Sequence, residues 1–255
     1  MIGAGGGFVL VPLLLIIYPD YGPEDVTAIS LSVVWANATS GSIAYARQRR
    51  IDYVTGALFA ASSVPGVVGG VLLVHLVPQR LFSVLFGALL GGVVILLLRR
   101  AAVVVREPLR GPGVLVRTMT GGDGISYRYG FKIWQGVALS AAVGFLSSLF
   151  GIGGGIVHVP SMIVLFHIPI PIAVATSHFV LAFMSGGGTA VHLANGTLAG
   201  EQLRQAVALG AGAVLGAQVG AQLSHLIPSR TVLSLLALAL VGLAARLFLK
   251  GVFGV

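Results

Sequence analysis

Gly3-Ala-Gly-Gly-Gly-Phe-Val-Leu-Val-Pro12 returns as Gly151-Ile-Gly-Gly-Gly-Ile-Val-His-Val-Pro160. A triple glycine followed at a fixed distance by Val-Pro does not recur by chance in one chain, so the protein is a duplicated unit. In an apolar chain, an internal repeat broken by glycine points to a membrane transporter with its binding site between the halves.

The composition fits that reading. The 255 residues have a mean hydropathy of +1.01 and are 56% hydrophobic and 9% charged. A soluble domain carries roughly a quarter of its residues as charges. The chain is therefore an all-α polytopic membrane protein. Its long apolar runs lack the short alternation of a transmembrane barrel. The net charge of +8 lies in short loops between apolar runs, where topology selection places it, and does not imply nucleic-acid binding. The chain has no cysteine, which excludes disulfides, zinc-thiolate sites and thiol nucleophiles. It has no charged segment ahead of an N-terminal apolar run, as a signal peptide would require, since its first basic residue is Arg47.

Apolar runs lie at 7–18, 26–46, 54–76, 81–98, 133–150, 154–168, 172–193, 204–226 and 231–249. A full span takes roughly 20 residues, so the two short glycine-led runs read as half-helices or steeply tilted segments. The repeat continues beyond them. Ala28-Ile-Ser30 answers Ala175-Thr-Ser177, and His75-Leu-Val-Pro-Gln-Arg80 answers His225-Leu-Ile-Pro-Ser-Arg230. The offset moves only from 148 to 150 residues. The organisation is a membrane repeat at 1–98, a polar loop at 99–132 and a second membrane repeat at 133–255. The helix at 133–150 leads into the second glycine motif, whereas only Met1 and Ile2 precede the first. The first copy therefore lacks its leading helix, or the chain starts at an internal methionine.

Within the polar loop, Val114–Met119 and Ile125–Phe131 alternate apolar with polar around Gly121-Gly-Asp-Gly124, a β-hairpin pattern. Seven of the fifteen basic residues fall in this loop and three more at Arg47, Arg49 and Arg50, which puts both loops in the cytoplasm. If the glycine-led segments cross, the halves are inverted and eleven basic residues are cytoplasmic; if they re-enter, the halves are parallel and the number is twelve. Charge does not separate the two, and inversion is the preferred reading because the glycine segments then approach the midplane from opposite faces.

Consecutive glycines weaken a helix by about 1 kcal/mol each. Irregular backbone at membrane depth is tolerated only where protein or a water-filled cavity satisfies it. Gly5, Gly6 and Gly7, with Gly153, Gly154 and Gly155, let the chain unwind and restart. Each restart aims free N–H groups and a positive dipole end at whatever lies between them, an arrangement suited to an anion. Close packing through small residues is the competing explanation, and it is preferred for Gly66/Gly70, Gly212/Gly216 and Gly216/Gly220.

The helix after each glycine segment is rich in hydroxyls, which either line a cavity or bond back to the preceding turn. Ser30 and Ser177 occupy matching places in the two copies and are the preferred donors; Asn37, Thr176 and His178 are further neighbours. His158, His178 and His192 lie inside apolar runs, where an ionisable group is a functional candidate. If His178 belongs to the site, anion binding strengthens as pH falls through about 6.5. All seven acids lie near loops, which argues against a carboxylate relay and against a metal site.

The run Gly151–Pro160, with Ala173-Val-Ala-Thr-Ser177 and His225–Arg230, resembles the TauE/SafE family of sulfite and organosulfonate permeases, and the resemblance covers nearly the whole chain. It implies a multi-pass protein of the bacterial inner membrane that moves small sulfur oxyanions or organosulfonates, without a cofactor. A homodimer is an allowed assembly. The absent leading helix departs from the family pattern, and the family does not vouch for His178. An anion channel of the same architecture is the nearest alternative. An intramembrane hydrolase using Ser177 and His192 is disfavoured, because the chain has no Gly-x-Ser-x-Gly and no intramembrane carboxylate to orient the histidine.

Overall fold

The computed structural model of the protein describes residues 5–98, 109, 111–122, 124–223 and 242. The run expected at 231–249 and the second-copy turn His225–Arg230 lie outside the described residues, apart from Gly242. The helices are α1 (Gly7–Ile17), α2 (Pro23–Arg47), α3 (Tyr53–Val74) and α4 (Gln79–Leu98), then α5 (Ile133–Phe150), α6 (Gly155–Phe166), α7 (Ile170–Ala194) and α8 (Gly200–Leu223). Strands β1 (Val114–Thr120) and β2 (Ser126–Lys132) stand between α4 and α5 and pair antiparallel, with Arg117 opposite Tyr129. The alternating pattern in the polar loop thus forms the hairpin expected of it.

α3, α5 and α7 are long and apolar enough to cross a membrane. Their outward side chains are hydrophobic, with Trp134 65% and Phe183 58% exposed, as a lipid-facing surface requires. α1 and α6, at 11 and 12 residues, are about 17 Å long and cannot span.

Local chemistry fixes the boundaries. Pro23, Glu24 and Asp25 open α2, and the Asp25 carboxylate accepts the Gly22 N–H at 3.1 Å. Asp52 caps α3 by accepting the N–H groups of Val54 and Thr55. α5 ends at Gly151, whose φ of 67° is left-handed and returns its N–H to the Ser147 carbonyl.

α3 and α5 pack along their lengths through small residues. A Cβ on Gly66 would stand 2.0 Å from the Ala141 carbonyl oxygen, and one on Gly70 2.5 Å from that of Phe145. This close backbone approach is the packing role expected for that pair. Gly212 and Gly216 have no such neighbour within 4 Å among the described residues.

α6 runs back along α5. Its start at Gly154 lies beside Val143 and Ser147, His158 meets Ser140 at 3.2 Å, and Phe166 stacks on Phe131 with centroids 5.0 Å apart. The end of α6 therefore lies at the same face as the hairpin and the start of α5. α1 leaves the glycine region for the other face, where Tyr21 receives a hydrogen bond from Gln205 of α8 and Asp25 one from Gln202.

Candidate functional site

The two glycine motifs meet. A Cβ on Gly7 would stand 2.6 Å from the Gly151 carbonyl oxygen and 3.0 Å from the Ile152 carbonyl carbon. The same local geometry starts both short helices. Gly6 has φ 81° and ψ −14°, and Gly154 has φ 81° and ψ −17°. Gly5 and Gly153 precede them at φ 68° and 76°. Only glycine adopts these left-handed angles without a steric cost.

Val34 of α2 and Leu181 of α7 stand between the two loops. Each would crowd a Cβ on Gly5, at 3.2 and 2.7 Å, and a Cβ on Gly153, at 2.4 and 2.8 Å. Both side chains are buried, with Ala38 beside them in a small apolar cluster. The space between the glycine pairs is thus filled by two branched side chains rather than left open as a polar cleft.

Donors on α2 hold the loops. Ser30 Oγ donates to the Gly151 carbonyl at 2.6 Å, and Asn37 Nδ2 donates to the Gly5 carbonyl at 3.3 Å. Each of these predicted residues lies against a glycine loop, and its donor stabilises loop backbone in this conformation. Ser177 is buried and its hydroxyl has no hydrogen-bond partner among the described residues. Thr176 turns elsewhere, since its Oγ1 accepts the Asp52 backbone N–H at 3.0 Å, at the hairpin end. His178 packs over Gly41 of α2 and edge-on to Tyr45, with centroids 5.3 Å apart. The structure therefore gathers Gly5, Gly7, Gly153, Ser30 and Asn37 at one place, and sets Thr176 and His178 against other partners.

At the helix starts, Val9 and Leu10 of α1 donate to the Gly6 carbonyl, and Val157 and His158 of α6 donate to that of Gly154. The N–H groups before them have no carbonyl one turn back within the helix, so two positive helix ends converge on one region. A Cβ on Gly6 would meet nothing within 4 Å among the described residues, whereas one on Gly154 would meet Val143 and Ser147.

Sequence reasoning missed three features. Ser147 and Ser148, in the last turn of α5, are fully buried with unpartnered hydroxyls among the described residues. The Ser147 Oγ lies 3.4 Å from where a Cβ on Gly154 would stand. Their position immediately before the second glycine motif was the available signal. Val34 and Leu181 carried no signal at all, being apolar residues in apolar runs.

The third feature is Asp52. Its carboxylate accepts from Arg117 through Nε and Nη2, from Thr55 Oγ1 at 2.6 Å and from the Tyr129 hydroxyl. Burial alone would raise its pKa, but these donors outweigh burial and hold the carboxyl below the usual carboxylate range. The Tyr129 phenol is pushed well up, first by burial and then by donating to that carboxylate. Asp52 thus ties together the hairpin, α3 and, through its own N–H, α7.

The chain belongs to a family of membrane transporters, the sulfite exporter TauE/SafE family, which it matches over residues 1–247. It is 32% identical to the probable membrane transporter protein YunE of Bacillus subtilis (strain 168), over 99% of this chain and 93% of that one. A probable membrane transporter protein of Methanocaldococcus jannaschii is 28% identical over 77% of this chain and 68% of its own length. One of Xylella fastidiosa (strain 9a5c) is 26% identical over 69% and 62%. No solved structure matches.

Proposed function

We propose that this transporter moves small sulfur-containing anions, such as sulfite or sulfoacetate, across the bacterial inner membrane, between two inverted halves. The convergence of two glycine-started helices carries this reading. Both offer backbone N–H groups and dipole ends to one region; Ser147 beside Gly154, and Ser177 one turn before Leu181 on α7, have unpartnered hydroxyls among the described residues. The substrate class comes from the family name, and the anionic charge from the site's chemistry. The binding residues in this reading are Gly5, Gly6, Gly7, Gly153, Gly154 and Gly155 with Ser30, Asn37 and Ser177, to which Ser147 is added; Thr176 and His178 leave the set, since they face Asp52 and Tyr45 instead.

Inversion is supported by direction. From the glycine meeting point α1 leads to the face of Tyr21, and α6 to the opposite face, at the hairpin. α5 and α6 together leave the hairpin face and return to it. Between the exit of α1 and the hairpin the first half then makes three crossings, in α2, α3 and α4. An odd number of crossings inverts the second half, so re-entry and inversion are compatible here. The units are 1–98 and 133–255, joined by the cytoplasmic loop 99–132.

Val34 and Leu181 close the centre in this conformation, and the anion reaches the N–H groups when these side chains part. A thermal-shift screen of purified protein against sulfite, sulfate, thiosulfate, sulfoacetate and matched carboxylates tests the reading. Stabilisation by a sulfur oxyanion over its carboxylate match is expected, whereas preferential stabilisation by an organic cation overturns it.

A further inference from the structure

At the face opposite the hairpin a cavity of about 570 Å³ is lined by Glu24 from α2, Val71 and His75 from the end of α3, and His192, Asn195, Gly196 and Thr197 from the end of α7. Its inner wall is His192, only 1% exposed, with neither ring nitrogen hydrogen-bonded among the described residues. His158, by comparison, has Ser140 as a partner. One turn inward from His192 lies Gly188, and Ser148 Oγ stands 3.4 Å from where a Cβ on Gly188 would sit. That hydroxyl is unpartnered too. A polar line therefore runs from Glu24 and His75 at the cavity, through His192, towards Ser148.

A buried polar group left without a partner costs about 1–3 kcal/mol, and in native structures such a group calls for a water, an ion or a functional role. The chemistry of the lining selects among ligands. A resting anion would face the Glu24 carboxylate. A metal ion needs several acidic or imidazole ligands, and the described residues hold no group of three or more suited to one. A proton needs one base, access to water, and a carboxylate to deliver it.

We infer that His192 is the proton-binding site that couples this transporter to a pH gradient. The inference rests on the reading of the chain as an anion transporter. A proton from water passes by way of Glu24 to a free imidazole nitrogen. Both ring nitrogens are then donors, and the imidazolium charge is balanced by the bound anion, so proton and anion move together. The titratable groups facing His192 across the cavity are Glu24 and His75; α5 contributes the neutral Ser148, and α7 the neutral Asn195.

The test uses the purified full chain in proteoliposomes with methanesulfonate, which stays ionised from pH 5 to 8, as the probe. With the interior one pH unit above the bath, one proton per anion gives about tenfold accumulation. His192→Gln should equilibrate the probe without accumulating it. Equal accumulation by parent and His192→Gln overturns the inference, as does the absence of accumulation by a parent that transports the probe. Glu24→Gln, altered at a half-buried position in the first turn of α2, provides a second variant if His192→Gln does not fold. It should slow accumulation several-fold, and an unchanged rate counts against the proton route. Histidine-labelled protein in detergent gives a readout free of substrate. The ring signal missing in His192→Gln should shift between about pH 3 and 7 in the parent, and an immobile signal across that range removes the proton site. Failure of methanesulfonate to enter at all would overturn the sulfonate reading, while the ring titration still decides the proton site.

Discussion

Asp52 and Arg117, separated by 65 residues, form a two-pronged ion pair, with Nη2 to Oδ1 at 2.9 Å and Nε to Oδ2 at 3.0 Å. Arg117 stands opposite Tyr129 in the hairpin ladder, so both strands direct a donor to the same carboxylate. The Asp52 side chain is fully buried and that of Arg117 is 28% exposed. Removing one partner of a buried pair costs about 3–5 kcal/mol. Part of the present charge is reached by water, and Tyr129 and Thr55 remain as donors. Arg117→Ala should therefore cost about 2 kcal/mol, seen as a lower midpoint in detergent unfolding, and should free the hairpin to protease. A midpoint unchanged from the parent would show the latch to be idle.

The same carboxylate sets an acid limit. Its folded-state pKa lies below the unfolded value of about 3.9. The stability it contributes is therefore complete above that pH and is lost as pH falls through the lower folded value. Asp52→Asn should flatten the low-pH arm of the stability profile and lower the plateau above it. Unfolding midpoints at a series of acid pH values measure both effects, and a parallel shift of the whole curve would assign the acid sensitivity to other groups.

What was legible in the sequence followed periodicity and repetition. The triple glycines marked both helix starts because the left-handed angles of Gly5, Gly6, Gly153 and Gly154 disfavour side chains. Alternation marked the hairpin, because period two is what a strand imposes. Asp52 was not legible as a hub. Its partners lie 65 and 77 residues away, and in the sequence it is one acid in a loop. The apolar filling between the glycine loops was not legible either, because nothing in an apolar run distinguishes Val34 or Leu181 from a lipid-facing neighbour.

Replacing Gly154 tests stability more than binding. Its φ of 81° costs a side chain about 1–2 kcal/mol, and a Cβ would lie 2.9 Å from Val143 Cγ1. Gly6 has the same φ, but a Cβ there would meet nothing within 4 Å among the described residues. Gly154→Ala should therefore lower the unfolding midpoint more than Gly6→Ala, and Gly66→Ala should lower it further because its Cβ would meet backbone. Equal midpoints for Gly6→Ala and Gly154→Ala would contradict the packing described at α5.

Val34 and Leu181 give a prediction in the direction of gain. If they close the path between the glycine loops, shortening them opens it. Val34→Ala and Leu181→Ala each remove buried methyl groups at a cost of about 2–4 kcal/mol, and both should raise passive sulfonate leak in proteoliposomes. A double variant no leakier than the parent would place the barrier elsewhere.

Ser177 and Ser147 separate binding from folding. Their buried hydroxyls have no partner among the described residues, so deleting either removes a desolvated group without breaking a hydrogen bond. Ser177→Ala and Ser147→Ala should leave the unfolding midpoint unchanged or raise it. If these hydroxyls donate to the anion, each deletion loses a hydrogen bond to a charged ligand, about 1.5–3 kcal/mol, or at least tenfold in affinity. Ser30→Ala should behave oppositely, because Ser30 donates to the Gly151 carbonyl and its loss loosens the second glycine loop. Paired measurements of midpoint and of sulfoacetate affinity for the three variants decide the matter. If Ser177→Ala and Ser147→Ala bind as tightly as the parent while Ser30→Ala alone is destabilised, the anion is held by backbone N–H groups, and the serines leave the site.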